Sequence, residues 1–203
     1  MRFRLAKLHK YLGLLMILPF FAWAITGVFF FIKPGYQKAY ESLPVKSYQL
    51  NTLPVISIAE DWQEVRWLRT ILGLHLLVKS NSKWQQVDIK TMQVKELPTE
   101  EDIKQLIDDA IKNQSERYGD IVSIDGLKIV TNTDITINLN WDQVTLHQKG
   151  TDTDFINTMY KIHYLQWTGI KSVDRVLGLV GLAFVVVLAC LGFYMTFSRR
   201  RLL

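Results

Sequence analysis

Two of the four histidines stand where a redox cofactor could be bound. His9 and His163 lie close to the start of the two long apolar runs of the chain, whereas His75 and His147 fall within predicted strands. Neutral imidazole is a common axial ligand of haem iron, and two such ligands favour electron transfer over oxygen chemistry. His9 and His163 are therefore candidate metal ligands, although a histidine beside a basic flank is also common as an ordinary interfacial residue.

The residue one turn beyond His9 favours the ligand interpretation. Gly13 follows His9 by four positions, so both lie on the same face of a helix. An imidazole that binds a flat macrocycle needs an unobstructed neighbouring turn, which glycine supplies. Close packing of two helices explains a glycine equally well.

Two apolar runs predict membrane-spanning helices. Residues 11–32 and 176–197 each comprise 22 residues without a charge, and about 20 apolar residues as a helix cross the hydrocarbon core. The first run is longer than the core of a signal peptide, so we interpret it as a retained anchor. The membrane core would separate His9 from His163 by about 30 Å, a geometry that suits two redox centres.

The basic residues set the orientation. Seven of the 24 basic residues flank the two runs, and the 17 between them are outnumbered by all 19 acidic residues. The positive-inside rule then predicts cytoplasmic termini, residues 1–10 and 198–203, and a periplasmic domain, residues 33–153, in a bacterial inner membrane. The middle carries no basic stripe with interleaved aromatic residues, so nucleic acid is not an expected partner.

The middle of the chain predicts a small α+β domain. Thr99 precedes a helical pattern over residues 100–113 and can cap it. Alternating apolar residues predict antiparallel strands with one buried face over residues 65–72, 75–79, 84–90, 121–124, 127–130, 135–140 and 143–148.

An amphipathic helix is predicted to resume at residue 154. Ile156, Tyr160, His163 and Trp167 are spaced to share one helical face. Such a helix can lie in the membrane interface. Residues 154–175 are therefore predicted as an interfacial helix and a charged collar before the second span.

The sequence lacks the residues or motifs that several other kinds of site require. The single cysteine, Cys190, excludes an intrachain disulfide, a zinc cluster and a haem c attachment motif. The chain has no Gly-x-Ser-x-Gly, no His-Glu-x-x-His, no phosphate-binding loop and no dinucleotide fingerprint. We predict no catalytic side chain, and the roles of His75 and His147 stay open.

Several segments together resemble the PepSY-associated transmembrane family. The opening segments are LHKYLGL at residues 8–14 and WAITG at residues 23–27, and the closing ones include IHYLQWTG at residues 162–169 and RVLGL at residues 175–179. The segment WQQVDIKT, residues 84–91, is similar to the strand and Asp-x-x-Thr-Gly turn of a PepSY unit, with Met92 in place of the usual glycine.

The resemblance implies a relation to the long members of this family, inner-membrane proteins that are related to siderophore-iron reductases and carry b-type haems between helices. Carried over, it makes His9 and His163 axial ligands of haem b. Bis-histidine ligation needs two histidines for each haem, and a homodimer or a partner membrane subunit would supply the second. A dimer would form a four-helix bundle, the usual host for haem between helices.

Two functional hypotheses follow. The first is a haem b protein that passes electrons from a donor such as quinol to periplasmic ferric iron, a siderophore or a flavin, in the manner of a component of a ferric-reductase-like oxidoreductase. The second is a non-redox, membrane-tethered PepSY module that binds or inhibits a partner protein or serves as an accessory subunit. The absence of a nicotinamide or flavin motif means that the chain needs a separate electron donor.

Overall fold

A computed structural model describes residues 2–200, without the side chains of residue 2 and of residues 198–200. Part of both basic flanks, including the side chains of Arg2, Arg199 and Arg200 and all of residues 201–203, therefore lies outside the described residues. The chain divides into two compact units. The first contains the residues up to Tyr36 and from Asp154 onward, and the second is Gln37–Thr153.

The first unit is built on two long helices that pack against each other. Helix α1 is Arg2–Ile32 and helix α6 is Lys171–Arg200. Within them, Phe3–Ile32 and Lys171–Phe197 are long and apolar enough to cross a membrane. His9 of α1 lies against Gly192 of α6 and Trp23 lies near Gly181, so the two helices run antiparallel.

A third helix reaches the end of α1. Helix α5 is Thr151–His163. Its Phe155 ring contacts Phe29, and its Tyr160 ring stacks on Phe30 with 4.5 Å between ring centroids. His163, at the end of α5, contacts Thr26, whereas Phe155 near its start contacts Phe29, so α5 packs antiparallel to the last turns of α1.

The helical face predicted for the segment from residue 154 onward is wrong in one residue, Trp167. The helix ends at His163, and Leu165 has a positive φ of 55°. A left-handed residue cannot continue a right-handed helix, so Trp167 lies in the loop that follows. Ile156, Tyr160 and His163 remain on the helix.

The second unit contains two antiparallel sheets. In the first sheet the strand order is β1 (Trp62–Thr70), β2 (Gly73–Ser80) and β3 (Lys83–Val87). In the second sheet it is β4 (Ile121–Asp125), β5 (Lys128–Thr131), β6 (Thr136–Asn140) and β7 (Thr145–Lys149). Helix α3 is Glu100–Ile111, and two single-turn helices are α2 (Tyr36–Ala39) and α4 (Ser115–Tyr118).

Helix α3 begins where the sequence predicts. The Thr99 hydroxyl accepts the Asp102 backbone N–H at 3.2 Å, and the Asp102 carboxylate accepts the Thr99 N–H at 3.0 Å. This capping box satisfies two backbone donors that have no partner within the helix. The apolar face of α3 then enters the main core with Leu77 of β2 and Ile137 of β6. The predicted fold class, two apolar helices around a central α+β domain of antiparallel strands, is confirmed.

The two ends of the second unit are bonded to each other. The backbone carbonyl of Ala39 accepts hydrogen bonds from the Gln148 side-chain amide at 3.0 Å and from the Thr153 hydroxyl at 3.1 Å. Arg117 donates to the Asp152 carboxylate at 2.8 Å and to the Gln148 side-chain oxygen at 2.9 Å. Burial raises the pKa of the Asp152 carboxyl, but the hydrogen bond and charge of Arg117 outweigh burial and hold that pKa below its usual value.

Candidate functional site

His163, the last residue of α5, is held at two points by α1. The indole Nε1–H of Trp23 donates to the His163 backbone carbonyl at 2.6 Å. The Thr26 hydroxyl oxygen lies 2.8 Å from the imidazole Nδ1 of His163. Trp23 and Thr26 are three positions apart and therefore share one face of α1. Together they fix the backbone and the ring of His163.

The hydrogen bonds assign the proton of the His163 ring. Thr26 has one hydroxyl proton, and the Ala22 carbonyl, 2.6 Å from the Thr26 oxygen, accepts it. The Thr26 oxygen must therefore act as the acceptor toward Nδ1, which carries the N–H. In neutral imidazole the other nitrogen, Nε2, then has a free lone pair. This is the usual arrangement of a metal-binding histidine, whose second nitrogen donates to a fixed acceptor.

Aromatic rings surround the half-buried His163. The Phe30 ring meets it edge to face at 5.0 Å between centroids, and the Tyr164 ring does so at 5.4 Å. Tyr160 stacks with both Phe30 and Tyr164. The imidazole therefore sits in an apolar, aromatic environment that limits the access of water to it.

Sequence reasoning did not assign Trp23 and Thr26 to this site. In the sequence, Trp23 and Thr26 stand out only as members of the family-like segment WAITG, residues 23–27. One feature of the sequence could have indicated their role: both side chains can form hydrogen bonds, and both lie on one face of an otherwise apolar run. Such groups need a partner within a membrane.

His9 occupies the other end of the helix pair. Its ring is half-buried in the contact with α6, and its Cε1 lies 3.6 Å from the position that a Cβ of Gly192 would take. The Nδ1 atom is buried and has no hydrogen-bond partner among residues 2–200. Apart from the backbone of α1 itself, no atom of the described residues lies within 4 Å of the position of a Cβ on Gly13, so space beside this turn is open.

The structure does not bring His9 and His163 together. Thr26, which contacts His163, lies seventeen positions beyond His9 on α1. At a rise of about 1.5 Å per residue, the two imidazoles lie about 25 Å apart along the helix axis. They therefore cannot be the two ligands of one iron atom.

The family comparison covers almost the whole chain. A family model described as PepSY-associated TM region matches residues 6–203. The chain belongs to the PepSY-associated TM family. No curated protein and no solved structure matches it. Family membership and two apolar helices of spanning length together identify a membrane protein.

The turn that resembles a PepSY motif has a clear physical basis. The Asp88 carboxylate accepts the backbone N–H groups of Lys90 and Thr91, both at 2.9 Å. These bonds, that of Thr91 first, lower the pKa of Asp88 below its usual value. Met92, which stands where glycine is usual in PepSY turns, has a φ of 57°. The left-handed conformation explains the usual preference for glycine at this position.

His75 has a structural role in the core of the second unit. It is fully buried, and burial is the main cause that lowers its pKa and keeps the ring neutral. The Gln86 amide nitrogen donates to the Trp141 carbonyl, which leaves the Gln86 side-chain oxygen facing His75. Because this oxygen can only accept, the Nδ1 of His75 carries the proton and donates to it at 2.8 Å. Its Nε2 lies 2.8 Å from the Thr70 hydroxyl, which donates to it. Both nitrogens are therefore occupied and unavailable to a ligand, whereas His147 is exposed on β7.

Proposed function

We propose that the protein is an inner-membrane haem b protein that passes electrons across the membrane to a periplasmic acceptor, either ferric iron, as in a siderophore complex, or a flavin. The observation that carries the proposal is the hydrogen bonding of His163. Thr26 holds the proton on Nδ1, which leaves the Nε2 lone pair free to bind iron. A haem b bound there would supply a one-electron redox couple.

The fit to haem differs between the two histidines. His163 has a free Nε2, a fixed acceptor for Nδ1 and aromatic neighbours, so it fits an axial ligand well. His9 has the open space beside Gly13, but its buried Nδ1 lacks the hydrogen bond that would orient the ring among the described residues. We assign His163 as the stronger ligand and His9 as the weaker one.

Each histidine requires a second ligand. A homodimer would place His9 opposite its mate and His163 opposite its mate, because the contact across a two-fold axis is self-complementary. A partner membrane subunit with its own histidine would serve equally. The helices α1 and α6 of two copies would form a four-helix bundle.

The residues of this chain have defined tasks in this proposal. Trp23 fixes the His163 carbonyl, Thr26 fixes the imidazole, and the rings of Phe30 and Tyr164 shield it from water. The basic flanks would place His9 near the cytoplasmic face and His163 toward the periplasmic face. A quinol in the membrane would be a suitable electron donor, since the sequence has no nucleotide-binding motif.

The test is the absorption spectrum of detergent-purified protein that was expressed with an ample haem supply. We expect a Soret band that shifts on reduction, a large loss of that band in His163→Ala and a smaller loss in His9→Ala. The variant His147→Ala, which alters an exposed strand residue, is the matched control and should keep the full spectrum.

Three outcomes bear on the proposal. A colourless wild-type protein would overturn it, and so would a spectrum unchanged in both histidine variants. If the second ligands come from a homodimer, separation into monomers should abolish the band as well. A band that persists in monomers would point to a different second ligand.

One observation favours the second candidate function, a tethered module that binds a partner protein. In the second unit, a cavity of 910 Å³ lies along β1 and β7, and each of these strands is at the edge of its sheet. An edge strand can pair with an extended peptide. Under this alternative the purified protein would be colourless despite an ample haem supply.

A further inference from the structure

A second feature of the first unit lies next to His163 and has its own chemistry. A cavity of 1190 Å³ is bordered by α1, the end of α5, the loop after it and the first turns of α6. Its apolar wall includes Trp23, Leu179 and Leu182. Leu179 and Leu182 are exposed, as expected for side chains that face lipid. The cavity is thus open to an apolar molecule from the membrane.

Three cations line the same cavity. Lys161 comes from α5, and Lys171 and Arg175 come from the first two turns of α6. All three side chains are exposed, and across residues 2–200 the structure shows no ion pair for any of them. Three unpaired cations on the wall of one cavity create a positive potential that favours an anion.

The acidic residue of the described lining, Asp174, offsets only part of this positive charge. Asp174 is buried, and its carboxylate accepts the Thr168 backbone N–H at 3.0 Å and the Thr168 hydroxyl at 2.7 Å. Asp174 therefore holds the loop in place. Because one carboxylate faces three cations, the net charge of the described lining is positive.

We propose that this cavity binds an acidic amphiphile, with the anionic group held by Lys161, Lys171 and Arg175 and the apolar body against Trp23, Leu179 and Leu182. Trp167 and Tyr164, which also line the cavity, are side chains that favour the boundary between polar and apolar surroundings. A positive potential beside an apolar wall suits an anionic group that is joined to an apolar body.

The same chemistry has two sources. One is an acidic phospholipid, whose phosphate would meet the cations and whose acyl chains would lie along the leucines. The other is the pair of carboxylates of the haem proposed for His163, and this source rests on the proposed function. In both cases an anion is joined to an apolar body, and the experiment distinguishes them.

The first experiment titrates haem-free full-length protein in neutral detergent with phosphatidylglycerol or phosphatidylcholine and counts bound lipid by native mass spectrometry. The cavity variant combines Lys161→Gln, Lys171→Gln and Arg175→Gln. We expect wild type to prefer phosphatidylglycerol and the cavity variant to bind it at least about tenfold more weakly. The matched control, with Lys83→Gln, Lys90→Gln and Lys128→Gln, removes the same charge from exposed positions of the second unit.

The second experiment uses haem-loaded protein and measures the rate at which haem transfers to apomyoglobin. If the cations hold the haem carboxylates, the cavity variant should release haem at least about tenfold faster than the control. A conservative variant with Lys161→Arg, Lys171→Arg and Arg175→Lys keeps the charge. It should behave as wild type in the experiment, lipid titration or haem release, in which the cavity variant differs from the control. This result would show that the cavity variant lost binding because it lost charge and not because it misfolded.

Each result decides the inference. A difference between the cavity variant and the control in the lipid titration identifies a phospholipid, and a difference in haem release identifies the haem carboxylates. Equal behaviour in both experiments would overturn the inference. A colourless wild-type protein would overturn the proposed function instead, and the lipid titration alone would then decide whether the cavity binds an acidic amphiphile.

Discussion

At the scale of single residues, the hydroxyl of Thr26 determines which nitrogen of His163 carries the proton. The hydroxyl gives its own proton to the Ala22 carbonyl and accepts the one on Nδ1. A valine at this position would keep the shape of the side chain but accept nothing. The imidazole would lose its fixed orientation and would have an unpaired N–H in an apolar site.

We therefore expect Thr26→Val to lower the free energy of unfolding by about 1–3 kcal/mol. Thermal unfolding of the full chain in detergent measures this effect. The control is Thr196→Val in α6, whose exposed hydroxyl also donates to a carbonyl one turn back, that of Gly192 at 2.9 Å. The control should cost less than about 0.5 kcal/mol, and equal losses in both variants would contradict a special role for Thr26.

The sequence identified the two histidines of interest because histidine beside an apolar run is chemically distinctive. It did not identify their neighbours. Trp23 and His163 lie 140 positions apart, and no local pattern indicates that α5 folds back onto α1. His75 illustrates the same limit, since its burial depends on Gln86 and Trp141 from other segments.

At the scale of elements, the turn between α4 and β4 depends on Gly119. This residue has a φ of 58° and a ψ of −135°, a conformation that only glycine adopts readily. A Cβ added to it would lie 1.9 Å from the side-chain oxygen of Asn132. That oxygen accepts the Asp120 backbone N–H at 3.1 Å, so it cannot move without breaking a hydrogen bond.

Gly119→Ala should destabilise the second unit by more than about 2 kcal/mol, since it adds a steric clash and a lost hydrogen bond to backbone strain. The control is Gly126→Ala, where φ is 54° and no atom lies within 4 Å of the new Cβ. Strain alone should cost about 1–2 kcal/mol there. Hydrogen exchange of β4 and β5 in the full chain provides the measurement, and a control at least as damaging as Gly119→Ala would refute the clash.

Elements with local signals were predicted well. The Thr99 cap of α3 and the alternating residues of β6 involve neighbours in sequence, so the pattern alone located them. The end of α5 was missed because periodicity continues to Trp167 while the backbone turns at Leu165. A positive φ at leucine has no signature in the sequence, and the side chain of Leu165 is buried beside Gly181 of α6, which is distant in sequence.

At the scale of the whole molecule, the distribution of charge predicts how the chain lies in its membrane. Basic residues flank the two apolar helices, and the segment between them carries the acidic ones. This pattern predicts cytoplasmic termini and an external second unit. The proposed direction of electron transfer depends on that orientation.

Cysteine labelling in intact cells tests the orientation. With Cys190→Ser as background, Ser82→Cys in the turn between β2 and β3 should react with a maleimide that cannot cross the inner membrane. Phe3→Cys near the start of α1, a position that is 87% exposed, should react only after the cells are permeabilised. The reverse pattern would place the second unit in the cytoplasm and exclude a periplasmic acceptor.

The hydrogen bonds at the Ala39 carbonyl have a mechanical consequence. Gln148 and Thr153 join the beginning of the second unit to its end, and Arg117 reinforces the junction through Asp152. A pull that separates the two ends, such as lateral tension between the membrane helices to which they connect, would load these few polar contacts first. The sheets and the core would carry little of that load until the junction had opened.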